Sequence, residues 1–266
     1  MRKSLLFAIS SIVLLSLFAI SSVNAVSALE EPKIFVKKKA DVTGDNKKDT
    51  ILLKGVSFEE NSAYLKAVLL ETITSHGQKL TIKLPGGYDP ELTLKDLNHD
   101  GIKDMFVGIP TGGSGGLSNY FLYTMKYGVA SNLTVPDPLQ VTSQFEDGYK
   151  ASITLDQTGK TYTFDLSSRK ADYERLGLYQ DGKLNEPTEL MVQPYGLLEP
   201  VKLESGEYGL KGIQRVSGAY QADAIASVVS HWVYKDGKWV LSKTYVKKTG
   251  TQKERKGIFH WRSKEK

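Results

Sequence analysis

The sequence predicts an all-β protein made of antiparallel sheets with little helix. Residues 80–84 and 92–95 alternate apolar with polar side chains, which is the pattern of strands with one buried face. Short turns rich in Asp and Gly separate further segments of this kind, as they do in β-hairpins. Only one short segment has the end signals of a helix.

The N-terminal half contains further strand-like segments. Residues 50–53 and 105–109 are apolar runs, and each directly follows an acidic loop. Residues 63–74 are longer and more apolar, which fits either a buried strand or a short helix. Residues 119–126 predict another strand.

The C-terminal half predicts two hairpins and one helix. Residues 149–155 and 160–166 flank one turn, and residues 225–234 and 238–246 flank an Asp-Gly turn. The helix is expected in the segment between the two hairpins, where a serine can cap its first turn and a glycine can end it. These signals place it at residues 169–176, with Ser167 or Ser168 as the cap and Gly177 as the end.

The start of the chain has the features of a secretory signal peptide. Two basic residues precede an apolar stretch over residues 5–20, and small residues follow at Ala25 and Ala28. We expect residues 1–25 to be the signal peptide, with cleavage after Ala25 or Ala28, and the protein to be secreted or associated with the cell wall. The alternative is an uncleaved segment that anchors the protein in the membrane, because roughly 17–25 apolar residues span a bilayer. The chain has no Cys, so disulfides and lipid attachment through cysteine are excluded.

Two nine-residue acidic loops, residues 41–49 and 96–104, predict calcium sites. The second loop follows the pattern D-x-N-x-D-G-x-x-D, with oxygen-bearing side chains at positions 1, 3, 5 and 9. A Ca²⁺ ion takes roughly 6–8 oxygen ligands, and the odd positions of a tight loop can converge on one centre together with the main-chain carbonyl of position 7. The predicted ligands of the second loop are therefore Asp96, Asn98, Asp100, Ile102 and Asp104.

The first loop keeps oxygen at the same four positions but is the weaker candidate. A threonine stands at position 3, an asparagine replaces the glycine at position 6, and two lysines add positive charge beside the cation. Position 6 must tolerate a positive φ, which suits Gly101 in the second loop and is acceptable for Asn46 in the first. We expect structural Ca²⁺ in both loops. The predicted ligands of the first are Asp41, Thr43, Asp45, Lys47 through its carbonyl, and Asp49.

The four histidines offer no pair at the spacing of a transition-metal site. His99 stands at position 4 of the second loop, where side chains face outward, so we expect it to be exposed.

Residues 96–110 resemble the FG-GAP/VCBS repeat, which occurs in integrin-like propellers and in many secreted bacterial proteins. In that family the loop binds Ca²⁺ between two strands of a propeller blade. The whole chain is also similar to VCBS-repeat secreted proteins of Gram-positive spore formers, a resemblance that implies no particular activity. The 55 residues from Asp41 to Asp96 suit one propeller blade. Because only two loops match and closed propellers have 4–8 blades, we expect a propeller-like fold that is atypical or incomplete.

The chain is expected to divide into two β regions and a basic tail. Residues 29–130 would form the calcium-binding region and residues 140–248 a second one, because residues 132–138 have the composition of a linker. Residues 249–266 form the tail, which lies within a C-terminal segment from Lys243 to Lys266 that carries a net charge of +7. Such a tail is either simply solvated or attached to an anionic cell wall or membrane surface.

No catalytic residues are predicted. Residues 112–116 contain the G-x-S-x-G pattern around Ser114, but a strand-like segment follows where a nucleophile elbow needs a helix. We therefore expect a non-catalytic, calcium-binding β protein with a binding or structural role at the cell surface. The alternative is a secreted hydrolase or carbohydrate-active protein that acts on wall polymer or polysaccharide. Carbohydrate is also a candidate ligand, because several tyrosines are expected near the glycine-rich loop, whereas nucleic acid is not expected as a partner.

Overall fold

Antiparallel strands dominate the described part of the chain, as the alternating pattern predicts. The computed structural model describes residues 32–59, 62–113 and 115–249. The proposed signal peptide, Ser114 and residues 250–266 of the basic tail lie outside these ranges. Within the described residues there are seventeen strands and one short α-helix, so the all-β prediction is confirmed. Those from Lys33 onward belong to one compact unit.

The first sheet is a four-stranded meander whose strands neighbour one another in chain order. The apolar segment that fitted either a strand or a helix is its third strand, buried on both faces. The first acidic loop joins the first two strands. The strands are β1 (Lys33–Ala40), β2 (Asp49–Ser57), β3 (Leu65–Ile73) and β4 (Lys79–Gly87).

The second sheet repeats this arrangement. It is again a four-stranded meander, and the second acidic loop again joins its first two strands. The two loops therefore occupy equivalent positions in successive sheets. The strands are β5 (Glu91–Lys95), β6 (Asp104–Pro110), β7 (Ser118–Thr124) and β8 (Ser131–Asn132).

The C-terminal part contains a three-stranded sheet, a two-stranded ribbon and a third four-stranded meander. Both hairpins predicted from the sequence are present, as β10–β11 and β16–β17. The shorter strands are β9 (Val141–Glu146), β10 (Lys150–Leu155), β11 (Lys160–Asp165), β12 (Tyr179–Gln180) and β13 (Lys183–Leu184). The last meander consists of β14 (Met191–Lys202), β15 (Tyr208–Ser217), β16 (Ala224–Lys235) and β17 (Lys238–Lys248).

The predicted helix is present, but the prediction of its cap is wrong. A 3₁₀ turn over Ser167–Arg169 precedes the helix α1 (Lys170–Arg175), and no side chain caps either of them. The amide of Ser167 donates to a carboxylate oxygen of Asp165 at 2.9 Å, so the turn before the helix is fixed by an acid upstream of both serines. Gly177 ends the helix with a φ of +72°, as expected of a C-terminal glycine.

Two hydrophobic cores meet at the second sheet. Met105, Val107 and Ile109 of β6 join the core shared with the first sheet. The residue between the first two, Phe106, points the other way and joins the core formed mainly by residues from Leu139 onward. The second sheet is thus buried on both faces, which explains why β6 is apolar in sequence rather than alternating.

Each sheet formed by the described strands is open, with an edge strand at either side, and none closes into a barrel. Within the described residues, no helix is both long and apolar enough to cross a membrane.

Candidate metal centre

The two acidic loops lie side by side, although 55 residues separate their first positions. A methyl group added at Gly44 would stand 2.6 Å from the Cδ1 atom of Ile102, so the first loop packs directly against the second. The turn after β7 links them further. The amide of Tyr127 donates to the carbonyl of Thr43 at 2.9 Å, and the residue before it, Lys126, reaches into the second loop.

The second loop is held by hydrogen bonds from its own amides to its odd-numbered positions. The carboxylate of Asp96 accepts from the amides of Asp100 at 3.1 Å and Gly101 at 3.0 Å. The side-chain oxygen of Asn98 also accepts from the amide of Asp100, and a carboxylate oxygen of Asp100 accepts from the amide of Ile102. Gly101 has a φ of +86°, as position 6 requires. The loop is therefore wrapped around its oxygen-bearing side chains.

Asp104 at position 9 has a buried oxygen with no partner. The residue is fully buried, and its Oδ2 accepts from the amides of Leu97 at 2.8 Å and Asn98 at 3.1 Å. Its Oδ1 receives no hydrogen bond, although the hydroxyl of Thr124 lies near enough to favour the charged form. The two groups do not meet hydrogen-bond geometry, so the Thr124 hydroxyl oxygen is also unpartnered. Burial raises the pKa of Asp104 to about 6.

An unpartnered carboxylate oxygen in a buried position is costly, because most buried polar atoms in proteins have a partner. A cation bound by the second loop would give this oxygen its missing partner. The donors of the loop are carboxylate, amide and carbonyl oxygens, which suit a hard cation such as Ca²⁺ and not a metal that prefers sulfur or nitrogen. In the described ranges, no three acidic or histidine side chains are grouped so as to hold a metal ion.

The first loop differs because the protein's own donors reach its carboxylates. Both oxygens of Asp49 accept hydrogen bonds, one from the amide of Val42 at 3.0 Å and the hydroxyl of Thr43, the other from the amide of Ser75 at 2.8 Å. Asp49 is thus equivalent to Asp104, except that the amide of Ser75, just after β3, gives its second carboxylate oxygen a hydrogen-bond partner.

The other two acids of the first loop are also occupied. Asp45 accepts from the amide of Lys47 and the hydroxyl of Ser75, and His76 lies 3.3 Å from it. The hydrogen bond from Ser75 is the main reason why the pKa of Asp45 is lowered. Asp41 accepts from three loop amides, including that of Asn46, whose φ is +63° as position 6 requires.

Position 7 is the predicted carbonyl ligand in each loop. In the second loop this residue is Ile102. Its side chain, which is not the predicted ligand, packs against Gly44 of the first loop. In the first loop, the amide of Lys47 donates to Asp45.

The expectation that His99 is exposed is wrong. Its Nε2 atom lies 2.8 Å from the carbonyl oxygen of Tyr208, and the ring is half-buried. The ammonium of Lys95 lies over the ring of Tyr208 and donates to its hydroxyl at 2.9 Å. His99, at position 4, therefore joins the second loop to β15 of the last sheet. Its partner, Tyr208, is 109 residues further along the chain.

Sequence reasoning missed three residues that act at the loops. Ser75 follows β3 and Thr124 ends β7, so each brings a hydroxyl from the third strand of its sheet to the acids of the loop. Lys126 follows two residues later, and its ammonium lies 3.2 Å from Asp100. No signal in the sequence singled out the two hydroxyl residues, because Ser75 lies 26 residues after Asp49 whereas Thr124 lies 20 residues after Asp104.

The glycine-rich segment at residues 112–116 is followed by a strand, β7. Ser114 itself lies outside the described residues. The tyrosines nearby have different settings: Tyr120 is half-buried and stacks on Phe106 at 5.8 Å, whereas Tyr127 is 83% exposed.

Solved structures of rhamnogalacturonan lyases match the chain weakly. The exotype rhamnogalacturonan lyase YesX is 16% identical with a TM-score of 0.36, and the match covers 81% of this chain and 33% of that one. A rhamnogalacturonan lyase from Bacillus licheniformis is 14% identical with a TM-score of 0.35, over 81% of this chain and 34% of that one. The chain thus spans about a third of the length of these enzymes, and similarity at this level carries no argument about activity.

Comparison with protein families overturns the resemblance to FG-GAP/VCBS proteins. No FG-GAP/VCBS family matches, whereas residues 139–247 match the model of the YybI C-terminal domain. The matched segment lies outside both acidic loops. The resemblance rested on about 16 residues of one loop, and a short oxygen-rich turn recurs in unrelated proteins because the same cation chemistry demands it.

A relative in Bacillus subtilis (strain 168) extends this match beyond the C-terminal domain. Uncharacterized protein YybI is 30% identical over 204 residues, which covers 73% of this chain and 77% of that protein. The aligned part of this chain is longer than the C-terminal domain alone. The chain therefore belongs to the YybI family.

Proposed function

We propose that this protein is a secreted β protein whose second acidic loop binds Ca²⁺, and that it has a binding or structural role at the cell surface rather than a catalytic one. The observation that carries the calcium proposal is the buried, unpartnered Oδ1 atom of Asp104. It belongs to a loop in which position 6 has the positive φ of calcium-loop geometry.

The ion at the second loop would be structural. Asp96, Asn98, Asp100 and Asp104 would hold it, together with the carbonyl of Ile102. It would supply the positive charge that the buried carboxylate lacks and would fix the connection between β5 and β6. That connection carries His99, so binding would also strengthen the contact between the second loop and Tyr208.

The first loop is proposed as a second, weaker site. It has the same spacing, and both loops stand at the same place in their sheets. A cation there would have to replace the hydroxyl of Ser75 at Asp45, and it would find both oxygens of Asp49 already bonded. The lower affinity follows from this competition.

We further propose that the sheets stack like the blades of an incomplete propeller. Support comes from the two successive four-stranded meanders, which share a core and place their acidic loops next to each other. The proposed second region at residues 140–248 is supported by the family match, which begins at residue 139.

Calcium titration of the chain from residue 29 onward, after treatment with chelator, tests the proposal. Calorimetry should show one site of higher affinity and a second, weaker one. The Asp104→Asn variant should lose the tighter site and keep the weaker one. If wild type and variant give the same isotherm, or if no heat is observed, the second loop is not a calcium site.

A further inference from the structure

The outer face of the first sheet is covered by lysines. Residues directly opposite each other on antiparallel strands share a face. Leu53 of β2 pairs with Leu70 of β3, and both lie in the hydrophobic core. Their neighbours therefore point outward: Leu52 pairs with Lys37 on one side and with Glu71 on the other. The pairing places five lysines on this face: Lys37, Lys39, Lys54, Lys79 and Lys83.

We call these five residues the lysine face. One acid, Glu71, lies on the same face. Glu71 is 4% exposed and bonds to Lys54 at 2.8 Å and to Lys79 at 2.7 Å. Burial raises its pKa, but the hydrogen bonds from the two lysines outweigh burial and the pKa is lowered on balance. Glu71 is thus ionised at neutral pH and already neutralised. The face keeps a net positive charge.

The other three lysines of the face have no carboxylate partner in the described ranges. The ten ion pairs of the described residues include none from Lys37, Lys39 or Lys83, and all three are exposed. They are therefore free to bind an anion from outside the chain.

The lysines of the two edge strands form two rows, and the Lys54–Glu71 ion pair lies between them. Lys37 and Lys39 lie on β1 and Lys83 on β4, the two edge strands, so the rows are three strand spacings or roughly 14 Å apart. Within the β1 row the two lysines are about 7 Å apart, since each residue of a strand advances about 3.4 Å. Beside this ion pair, the two middle strands present threonine and leucine side chains, such as Thr50 and Leu69.

Edge lysines can also serve to prevent sheets from pairing edge to edge. That role requires charge at the edge and is indifferent to which face carries it. Here the edge lysines Lys37, Lys39, Lys79 and Lys83 all share one face. On the other face, Lys38 donates to the carbonyl of Leu92, and the ammonium of Lys33 lies over the ring of Phe35. Most of the free charge at the edges is therefore on one face, which needs a further explanation.

We propose that the lysine face binds a linear phosphodiester polymer of the kind found in cell walls. An ammonium group pairs with phosphate as a point charge, and the three unpaired lysines offer such charges on both edges of one face. The threonine and leucine side chains between them offer hydroxyl and aliphatic surface to the polyol or sugar units between phosphates. The inference rests on the proposed function only for the location at the cell surface, and it does not involve the calcium loops.

Binding of linear poly(glycerol phosphate), a simple polymer of this phosphodiester class, to the chain from residue 29 onward tests this inference. The triple variant Lys37→Gln, Lys39→Gln, Lys83→Gln removes the three free lysines of the face. The matched control Lys235→Gln, Lys238→Gln, Lys247→Gln removes the same charge from three exposed lysines of the last sheet that likewise form no ion pair in the described residues. We expect the face variant to bind at least tenfold more weakly and the control less than threefold. Each single variant should bind about two- to threefold more weakly, which covers the case in which the triple variant does not fold.

Equal losses in the two triple variants would show that binding follows overall charge and would overturn the proposal. Vesicles that contain phosphatidylglycerol test the membrane as the partner. Binding to vesicles but not to poly(glycerol phosphate), lost in the face variant, would also overturn it. The assay is run in chelator, so a failure of the calcium proposal leaves its outcome unchanged, and the Asp104→Asn variant should bind poly(glycerol phosphate) like wild type.

Discussion

The ammonium of Lys126 lies 3.2 Å from a carboxylate oxygen of Asp100, at the edge of the second acidic loop. Both side chains are partly buried, so solvent screens this pair less than it screens a surface ion pair. The lysine comes from the turn that also bonds to Thr43 of the first loop. The second loop therefore has a cation of its own, which a bound metal ion would have to tolerate or displace.

Removing this ammonium should strengthen calcium binding. In Lys126→Met, the divalent cation no longer meets a positive charge at Asp100, and we expect its affinity to rise by roughly five- to thirtyfold, or about 1–2 kcal/mol. Calorimetric titration measures the change. Lys103→Met is the matched control, because Lys103 lies in the same loop, is exposed and forms no ion pair in the described residues. Equal effects of the two substitutions would contradict the role of Lys126.

The buried carboxyl of Asp104 should make the calcium-free protein less stable as pH rises. Burial raises its pKa from 3.8 to about 6, so between these pH values the folded form binds more protons than the unfolded form. The free energy of unfolding therefore falls as pH rises through this window, by up to about 3 kcal/mol.

Asp104→Asn removes this titration. In chelator, urea unfolding at pH 4 and pH 7 should show that wild type loses stability relative to the variant by about 2–3 kcal/mol. Calcium at pH 7, at a concentration that fills only the tighter site, should restore the wild type and leave the variant unchanged. If the difference in stability between wild type and variant is the same at both pH values, Asp104 does not carry an uncompensated charge.

The strands were predictable from the sequence because their hydrophobic pattern is local. The helix and its C-terminal glycine were found for the same reason. Its N-terminal cap was predicted wrongly, because Asp165 rather than a serine side chain fixes the turn before the helix. Residues 63–74 could not be assigned because a strand buried on both faces has no alternation to separate it from a helix. The stacking of the sheets lies beyond any local pattern.

At the candidate site, the oxygen-bearing positions and the positive φ at position 6 followed from spacing alone. The difference between the loops did not, because it depends on donors from the ends of β3 and β7. His99 was misjudged because its partner, Tyr208, lies on the last sheet.

The contact between Gly44 and Ile102 should couple the two loops. Gly44→Ala adds a methyl group 2.6 Å from Cδ1 of Ile102 at a φ of +82°, and we expect a loss of about 1–3 kcal/mol in unfolding free energy. Gly101→Ala is the control for the φ cost alone, because its φ is +86° and no atom lies within 4 Å of the added carbon.

Ile102→Val deletes the atom that the new methyl group meets. A double-mutant cycle in urea unfolding should therefore show that Gly44→Ala costs less in the Ile102→Val background, by more than about 0.5 kcal/mol. Additive effects would mean that the loops do not press on each other at this point.

Melting of Asp100→Ala with and without calcium is the most direct test of the calcium account. At about ten times the dissociation constant, calcium should stabilise wild type by roughly 1.4 kcal/mol, or about 3–6 °C in melting temperature. Asp100→Ala should lose most of this shift, measured from its own melting temperature in chelator, which also reflects the lost ion pair with Lys126. Asp45→Ala in the first loop should keep most of the shift. An undiminished calcium shift in Asp100→Ala would contradict the account.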